Sequence, residues 1–231
     1  MNIFIDTADA NQIIEYRRLG LITGVTTNPE ILAQCAVSRN PLDLIRKVVD
    51  AMGDGYVFVQ VVSRDPERQL EEAEFLSGLG PKIVVKVVMD KTGLQSIPRM
   101  VKAGLQVSAT AVNSIGRAIL AGECGAHYMI PYYGWLEDAM ESPTGLIENV
   151  AAIYRAQKYQ TRLHVYCRRV IDVERAATAG AWGVLLQPPD LERFFHHAQT
   201  EVAVGAHAAA WRRQYGDTCW LDYRDQESGR S

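Results

Sequence analysis

Ile83-Val84-Val85-Lys86-Val87-Val88-Met89 sets a lysine inside an otherwise apolar run rich in β-branched residues. Such a run predicts a strand covered on both faces, as in a parallel sheet under helices. Side chains alternate along a strand, so Val84, Lys86 and Val88 share one face and Val85 and Val87 the other. A lysine on a strand wrapped by others cannot carry its ammonium out to water. Burial then disfavours the charged form, and a neutral amine attacks carbonyls to form an iminium. A buried lysine paired with a carboxylate satisfies the same run, and from this stretch alone the two readings stand level.

The flanking sequence repeats the pattern. Strands are predicted at 2–6, 24–27, 56–62, 83–89, 106–112, 127–133, 162–167 and 183–187. Helices are predicted at 8–19, 29–52 with a break near Asn40-Pro41, 65–79, 92–103, 114–121, 146–157, 171–179 and 190–215. Asp65 and Pro66 form a cap and first-turn pair, while Gly104 and Gly180 stop helices. Eight strand–helix units in 231 residues predict a single closed (β/α) eight-stranded TIM barrel with a C-terminal helical extension. An open doubly wound sheet is the alternative. A glycine-rich turn after the first strand would favour it, but that turn reads Asp6-Thr7-Ala8-Asp9. The barrel domain is expected over 1–216. The polar tail 217–231 carries Trp220, Leu221 and Tyr223, and is expected to pack on a neighbouring subunit or to be partly disordered.

Composition narrows the function classes. A hydrophobic fraction of 48% supports a sizeable core, and a net charge of -3 argues against a nucleic-acid partner. No apolar run has the length of a membrane span, and Met1–Asp6 lacks a basic stretch, so a cytoplasmic protein is expected. Cys35, Cys124, Cys167 and Cys219 lie far apart with no CxxC pair, and no His, Cys or carboxylate spacing suggests a metal. No metal and no cofactor are expected. His196-His197 reads as surface or interface, and the charge-rich stretch 64–74 as a solvated helix face.

Further polar residues stand where Lys86 stands, late in predicted strands. Asp6 ends the first, Thr26 and Asn28 end the second, Gln60 lies in the third, Thr110 in the fifth and Tyr132 in the sixth. Each alone is ordinary: Asn28 before Pro29 suits a helix cap and Tyr132 a core aromatic. Together they would converge on the C-terminal mouth, where barrel enzymes place their sites. A carboxylate, an amine, a phenol and amides are the groups iminium chemistry uses.

Ile-Asp-Thr-Ala-Asp at 5–9, Gly-Val-Thr-Thr-Asn-Pro at 24–29, Val-Val-Lys-Val at 84–87 and Ala-Thr-Ala-Val at 109–112 together resemble the transaldolase family. The branch they resemble most is that of the small fructose-6-phosphate aldolase-like proteins, from Asn2 to about Tyr215. The resemblance implies a class I aldolase acting on a ketose and an aldehyde, with Lys86 as the Schiff-base lysine. Asp6 would bind donor hydroxyls and assist proton transfer, with Asn28 as a donor-hydroxyl contact. Gln60 and Thr110 would hold a catalytic water, and Tyr132 would act as acid/base. True transaldolases have a glutamate where Gln60 stands and a phenylalanine where Tyr132 stands, so the resemblance is aldolase-like at both. It also implies a homo-oligomer, a pentamer or a decamer.

The sequence departs from the family at the substrate's ends. Trp135 stands where the family has a phosphate-binding arginine and Tyr166 where it has a serine, with Arg168 and Arg169 following. Trp135 lacks the guanidinium fork. The expected substrate is therefore uncharged, stacked on Trp135, or an anion such as a sulfonate or carboxylate held by Arg168 or Arg169. Ile130 replaces a small residue and crowds the donor. Two other readings stay open: a transaldolase that passes a dihydroxyacetone-type unit to an aldehyde, and a non-catalytic sugar-binding barrel. A deoxyribose-phosphate-type aldolase also uses a barrel lysine, but Gly-Val-Thr-Thr-Asn-Pro does not suit it.

Overall fold

A computed structural model describes residues 1–36, 40–132 and 145–227. The strands β1 (Asn2–Asp6), β2 (Ile22–Thr26), β3 (Tyr56–Gln60), β4 (Ile83–Val88), β5 (Val107–Val112), β6 (Tyr128–Pro131), β7 (Arg162–Tyr166) and β8 (Gly183–Leu186) are all parallel. They close in sequence order into a barrel, β8 pairing with β1. The helices are α1 (Ala10–Arg18), α2 (Pro29–Gln34), α3 (Pro41–Met52), α4 (Pro66–Ser77), α5 (Lys91–Lys102), α6 (Ile115–Glu123), α7 (Leu146–Gln157), α8 (Val170–Ala179), α9 (Pro188–Phe195), α10 (Ala198–Tyr215) and α11 (Trp220–Glu227). This is the (β/α)8 barrel expected from the alternation.

The starts of the helices follow from local chemistry. Asp9, Asn28, Asn40, Asp65, Asp90 and Ser114 each cap a helix by accepting backbone N–H bonds, and Pro29, Pro41 and Pro66 occupy first turns. The break expected near Asn40-Pro41 is present: α2 ends at Gln34, and α3 starts at Pro41 with Asn40 as its cap. One expectation is corrected. The predicted helix 190–215 begins earlier, at Pro188, and breaks at His196-His197, where extended backbone at His197 starts α10. Within the polar tail the chain forms α11.

The chain divides into two compact units, Met1–Leu191 and Glu192–Ser231. In the second, Trp211 packs on Tyr215 and Trp220 at ring distances of 4.7 and 4.9 Å, and its indole N–H donates to the Thr218 carbonyl. The end of the predicted barrel domain at 216 falls after α10, within this second unit. No helix among the described residues is long and apolar enough to cross a membrane.

The barrel has two cores, separated by strand parity. Outward-facing Val25, Val57, Val85, Val87, Val107 and Val165 pack under the helices. Inward-facing Phe4, Phe58, Val84, Tyr128, Ile130 and Leu185 fill the interior. Each such apolar side chain contributes roughly 1.5–3 kcal/mol by leaving water. Register stepped round the barrel sorts the inward residues into layers supplied by alternate strands. One holds Phe4, Phe58, Ser108 and His164. The next toward the C-terminal mouth holds Thr26, Lys86, Ile130 and Leu185, and above it lie Asp6, Gln60, Thr110 and Tyr166. Tyr56, Tyr128 and Trp182 close the other end, with the Arg162 guanidinium over the Tyr128 and Trp182 rings at 5.5 and 5.4 Å.

Candidate active site

Lys86 is fully enclosed, at 2% exposure, and its Nζ donates to the Thr27 carbonyl at 2.8 Å. Among the described residues no carboxylate lies within ion-pair distance of it. Burial pulls the Lys86 amine below its ordinary range, and the nearby Asp6 charge opposes that only in part. Asp6 moves in the complementary direction. Burial raises its carboxyl pKa, against the Lys86 charge and the hydrogen bond donated by the Thr26 hydroxyl. Both shifts favour uncharged partners, as expected when two ionisable groups share a site poor in water.

Four consecutive residues of Gly-Val-Thr-Thr-Asn-Pro each have a separate part in this geometry. Thr26 donates to Asp6. Thr27 presents its carbonyl to Lys86, and its own N–H and hydroxyl both donate to the Phe58 carbonyl, at 2.9 and 3.0 Å, which fixes that peptide. The Asn28 side chain caps α2 by accepting from the Ile31 N–H at 2.9 Å, and Pro29 begins the helix.

A cavity of about 380 Å³ opens above the lysine, lined by Asp6, Asn28, Gln60, Lys86, Tyr132 and Tyr166, together with Glu30, Gln34 and Gln187. It lies at the C-terminal ends of the strands, where the sequence placed it. Thr110 stands behind it and donates to the Tyr132 phenol at a long 3.5 Å. Beside Thr110 the β5–β6 register slips between Ala109 and Val112, with Ala111 at φ 57°. A bulge at this point turns the strand end where the site needs it. Burial lifts the Tyr132 phenol above its usual range, opposed by the Thr110 bond. Tyr166, at 6.4 Å from the Tyr132 ring, is pushed up to about 12, chiefly by burial.

The structure thus brings together Asp6, Asn28, Gln60, Lys86, Tyr132 and Tyr166, with Thr26 and Thr110 bonded to members of the set. Ile130 is buried in the lysine's own layer and is not among the residues lining the cavity. Arg168 is exposed beside Tyr166 and does not line the cavity either. Trp135 lies outside the described residues. Glu30, Gln34, Thr27 and Gln187 escaped the sequence reading. Gln187 follows the last strand as the other polar residues follow or end theirs, and that signal was available.

One interior residue fits no apolar pattern. His164 is fully buried against Phe4, at a ring distance of 4.4 Å, and among the described residues neither imidazole nitrogen makes a well-formed hydrogen bond, although the Val184 backbone interacts with the ring. The Ser108 hydroxyl of the same layer is also unpartnered. Burial pulls the His164 pKa down to about 3, with the Lys86 charge adding to the effect. Among the described residues no group of three His, Cys, Asp or Glu side chains is placed to hold a metal.

A parallel eight-stranded barrel with a buried lysine under a polar mouth defines a lysine-bearing barrel enzyme. The chain matches the family described as Transaldolase/Fructose-6-phosphate aldolase over residues 3–218, and it belongs to that family of aldolase and transaldolase enzymes. A probable transaldolase of Cytophaga hutchinsonii is 38% identical over 184 residues, covering 78% of this chain and 84% of the relative. Probable transaldolases of Pelotomaculum thermopropionicum and Methanococcus maripaludis are each 32% identical, covering 92% and 91% of this chain and 98% and 97% of their own lengths.

Proposed function

We propose that this chain is a class I aldolase in which Lys86 makes and breaks a carbon–carbon bond of a ketose or related hydroxyketone through an iminium. The observation that carries the reading is the enclosure of Lys86 with its nitrogen held by a backbone carbonyl beside Asp6. A neutral amine adds to the ketone carbonyl, and the carbinolamine loses water to give the iminium. In cleavage the electron pair of the breaking C–C bond flows to the iminium nitrogen, leaving an enamine, and the aldehyde departs. The hydroxyl proton at the breaking centre passes to the Tyr132 oxygen while the phenol hands its own proton to the water beside Thr110, and in synthesis the relay runs in reverse. Asp6 and Asn28 bind donor hydroxyls, while Gln60 and Thr110 hold that water, which delivers a proton to the enamine carbon; water then adds to the resulting iminium, and loss of the ketone returns Lys86 as the free amine.

The names of the relatives favour a second reading, a transaldolase that hands the bound fragment to an aldehyde. Incubation with a ketose alone, then with added aldehyde, separates the two. A non-catalytic sugar-binding barrel is the third. Mass spectrometry after borohydride reduction tests Lys86 against it. The wild-type protein gains one ketose-derived adduct on Lys86, and Lys86→Met, which suits an apolar strand, folds and gains none. An adduct in Lys86→Met, or on Lys82, sinks the assignment.

The family resemblance also supports a homo-oligomer, a pentamer or decamer. The exposed Val202, Val204, Trp220 and Leu221 of the C-terminal unit fit that assembly. Light scattering that returns the 25.7 kDa mass of one chain would rule it out.

A further inference from the structure

The Lys86 nitrogen is held in one direction. Among the described residues its hydrogen-bond acceptor is the Thr27 carbonyl, at 2.8 Å. Any acceptor satisfies a buried amine, but only an acceptor that is itself fixed can aim one. The Thr27 peptide is fixed on both sides. The Thr27 N–H and hydroxyl both donate to the Phe58 carbonyl, at 2.9 and 3.0 Å. On the other side the Asn28 side chain and carbonyl accept from the Ile31 and Leu32 N–H groups at 2.9 and 3.0 Å, tying the chain to the first turn of α2. Phe58 lies in β3, whose Gln60 pairs with Lys86, and the Val61 N–H donates to the Lys86 carbonyl at 3.1 Å. Acceptor and amine therefore hang from one frame, the adjacent ends of β2, β3 and β4. Lys86 lines the cavity and the fully buried Thr27 does not. The carbonyl grips the nitrogen from the wall, and a substrate reaches it from the cavity.

Iminium formation gives this grip a use. The amine carries two hydrogens. As it adds to a ketone, one of them and a further proton leave with the ketone oxygen as water, and the other stays on the nitrogen. The iminium nitrogen is planar, bonded to the lysine chain, the substrate carbon and that remaining hydrogen. With the hydrogen on the Thr27 carbonyl, the direction left for the C=N bond is into the cavity. The bond also changes strength. A neutral amine is a weak donor and an iminium is a cation, and hydrogen bonds from charged donors are about twice as strong as neutral ones. Surroundings poor in water widen the difference. No carboxylate among the described residues lies within ion-pair distance of Lys86 to take this part. A contact that is stronger in the charged intermediate than in the free amine speeds the step that makes the charge.

We propose that the Thr27 carbonyl is a catalytic group, which keeps hold of the hydrogen that stays on the Lys86 nitrogen, stabilises the iminium cation and turns its C=N bond toward the cavity, and that the Thr27 hydroxyl is the positioning group that fixes this carbonyl. The inference rests on the Lys86 reading above and adds a partner to its iminium step.

Two measurements test it. Borohydride trapping of a ketose on Lys86 follows iminium formation. Infrared difference spectra of protein grown with threonine isotopically labelled at its carbonyl carbon follow the hydrogen bond itself. In the wild type, adding ketose moves one labelled carbonyl band to lower frequency as the nitrogen becomes charged. Thr27→Ser keeps the hydroxyl but puts an unlabelled carbonyl at this position, so it still forms adduct and loses the moving band. Thr27→Val keeps the shape, and the Phe58 carbonyl keeps the N–H of residue 27, so no buried polar atom is stranded. It traps ketose about three- to tenfold more slowly, the usual range for one hydrogen bond, and Thr27→Ser recovers most of that loss. Cleavage of adduct already formed is not slowed in Thr27→Val, whereas a loosened barrel would slow both steps. An adduct that forms with no threonine carbonyl band moving, or a Thr27→Val variant that traps at the wild-type rate, overturns the inference and leaves the Lys86 reading standing. A wild type that forms no adduct on Lys86 ends both.

Discussion

Burial keeps the Tyr132 phenol protonated well past neutral pH, so in the proposed reaction it begins synthesis as an acid, its ring held beside Tyr166 and its oxygen near Thr110. Tyr132→Phe keeps the ring and removes the proton. We expect the Lys86 adduct to form still under borohydride, while C–C cleavage slows by about 10²-fold or more, the ordinary worth of one general acid–base group. Single-turnover cleavage measured beside the adduct mass checks this, and full cleavage activity in the variant would remove Tyr132 from the mechanism. Lys86, Asp6, Gln60, Thr110 and Tyr132 were legible in the sequence because polar groups late in apolar strands have few structural reasons to be there. Glu30 and Gln34 were not, because a carboxylate or amide in a short helix has the same appearance whether it faces water or a substrate. Thr27 was invisible for another reason. Its contribution is a backbone carbonyl, and every residue has one.

At the scale of elements, period-two alternation and helix caps carried most of the information. β4 was read from its valines, and the helices from Asp65-Pro66 and the stop at Gly180, because these residues act on their immediate neighbours. Features that depend on distant contacts were missed. The bulge that sets Ala111 at φ 57° is defined by how β5 meets β6, and Ala-Thr-Ala-Val has no glycine to announce it. The break at His196-His197 was missed because neither residue is a strong helix breaker, and the start of α9 because two prolines after a strand read as a turn. The parity that placed Lys86 inward also placed His164 inward, yet no periodic pattern says which inward polar residue meets a cavity and which meets only other side chains.

The interior of the barrel as a whole links the site to acid stability. The layer beneath Lys86 holds His164 against Phe4 and Phe58, with no well-formed hydrogen bond on either nitrogen among the described residues and the Val184 backbone opposing its shift only in part. In the folded protein its pKa falls from 6.5 to about 3, because a charged imidazole there would lose its water and lie near Lys86. The unfolded chain takes up that proton near 6.5, and the folded one refuses it. Above pH 6.5 the histidine therefore costs nothing by this route. As pH falls from about 6.5 toward about 3 it weakens the fold by roughly 1.4 kcal/mol per unit. Ionised carboxylates add their own acid dependence, Asp172 among them, so the informative quantity is the difference between two proteins. His164→Leu fills similar space without a titrating group. We expect its unfolding free energy, measured in urea at pH 7, 6, 5 and 4, to fall less steeply than that of the wild type by about one proton's slope, and to match the wild-type slope above pH 7. Equal slopes below pH 6 would mean that the folded barrel accepts the proton, through a water shared with Ser108 or a shift of the ring, and that the layer under Lys86 is not dry.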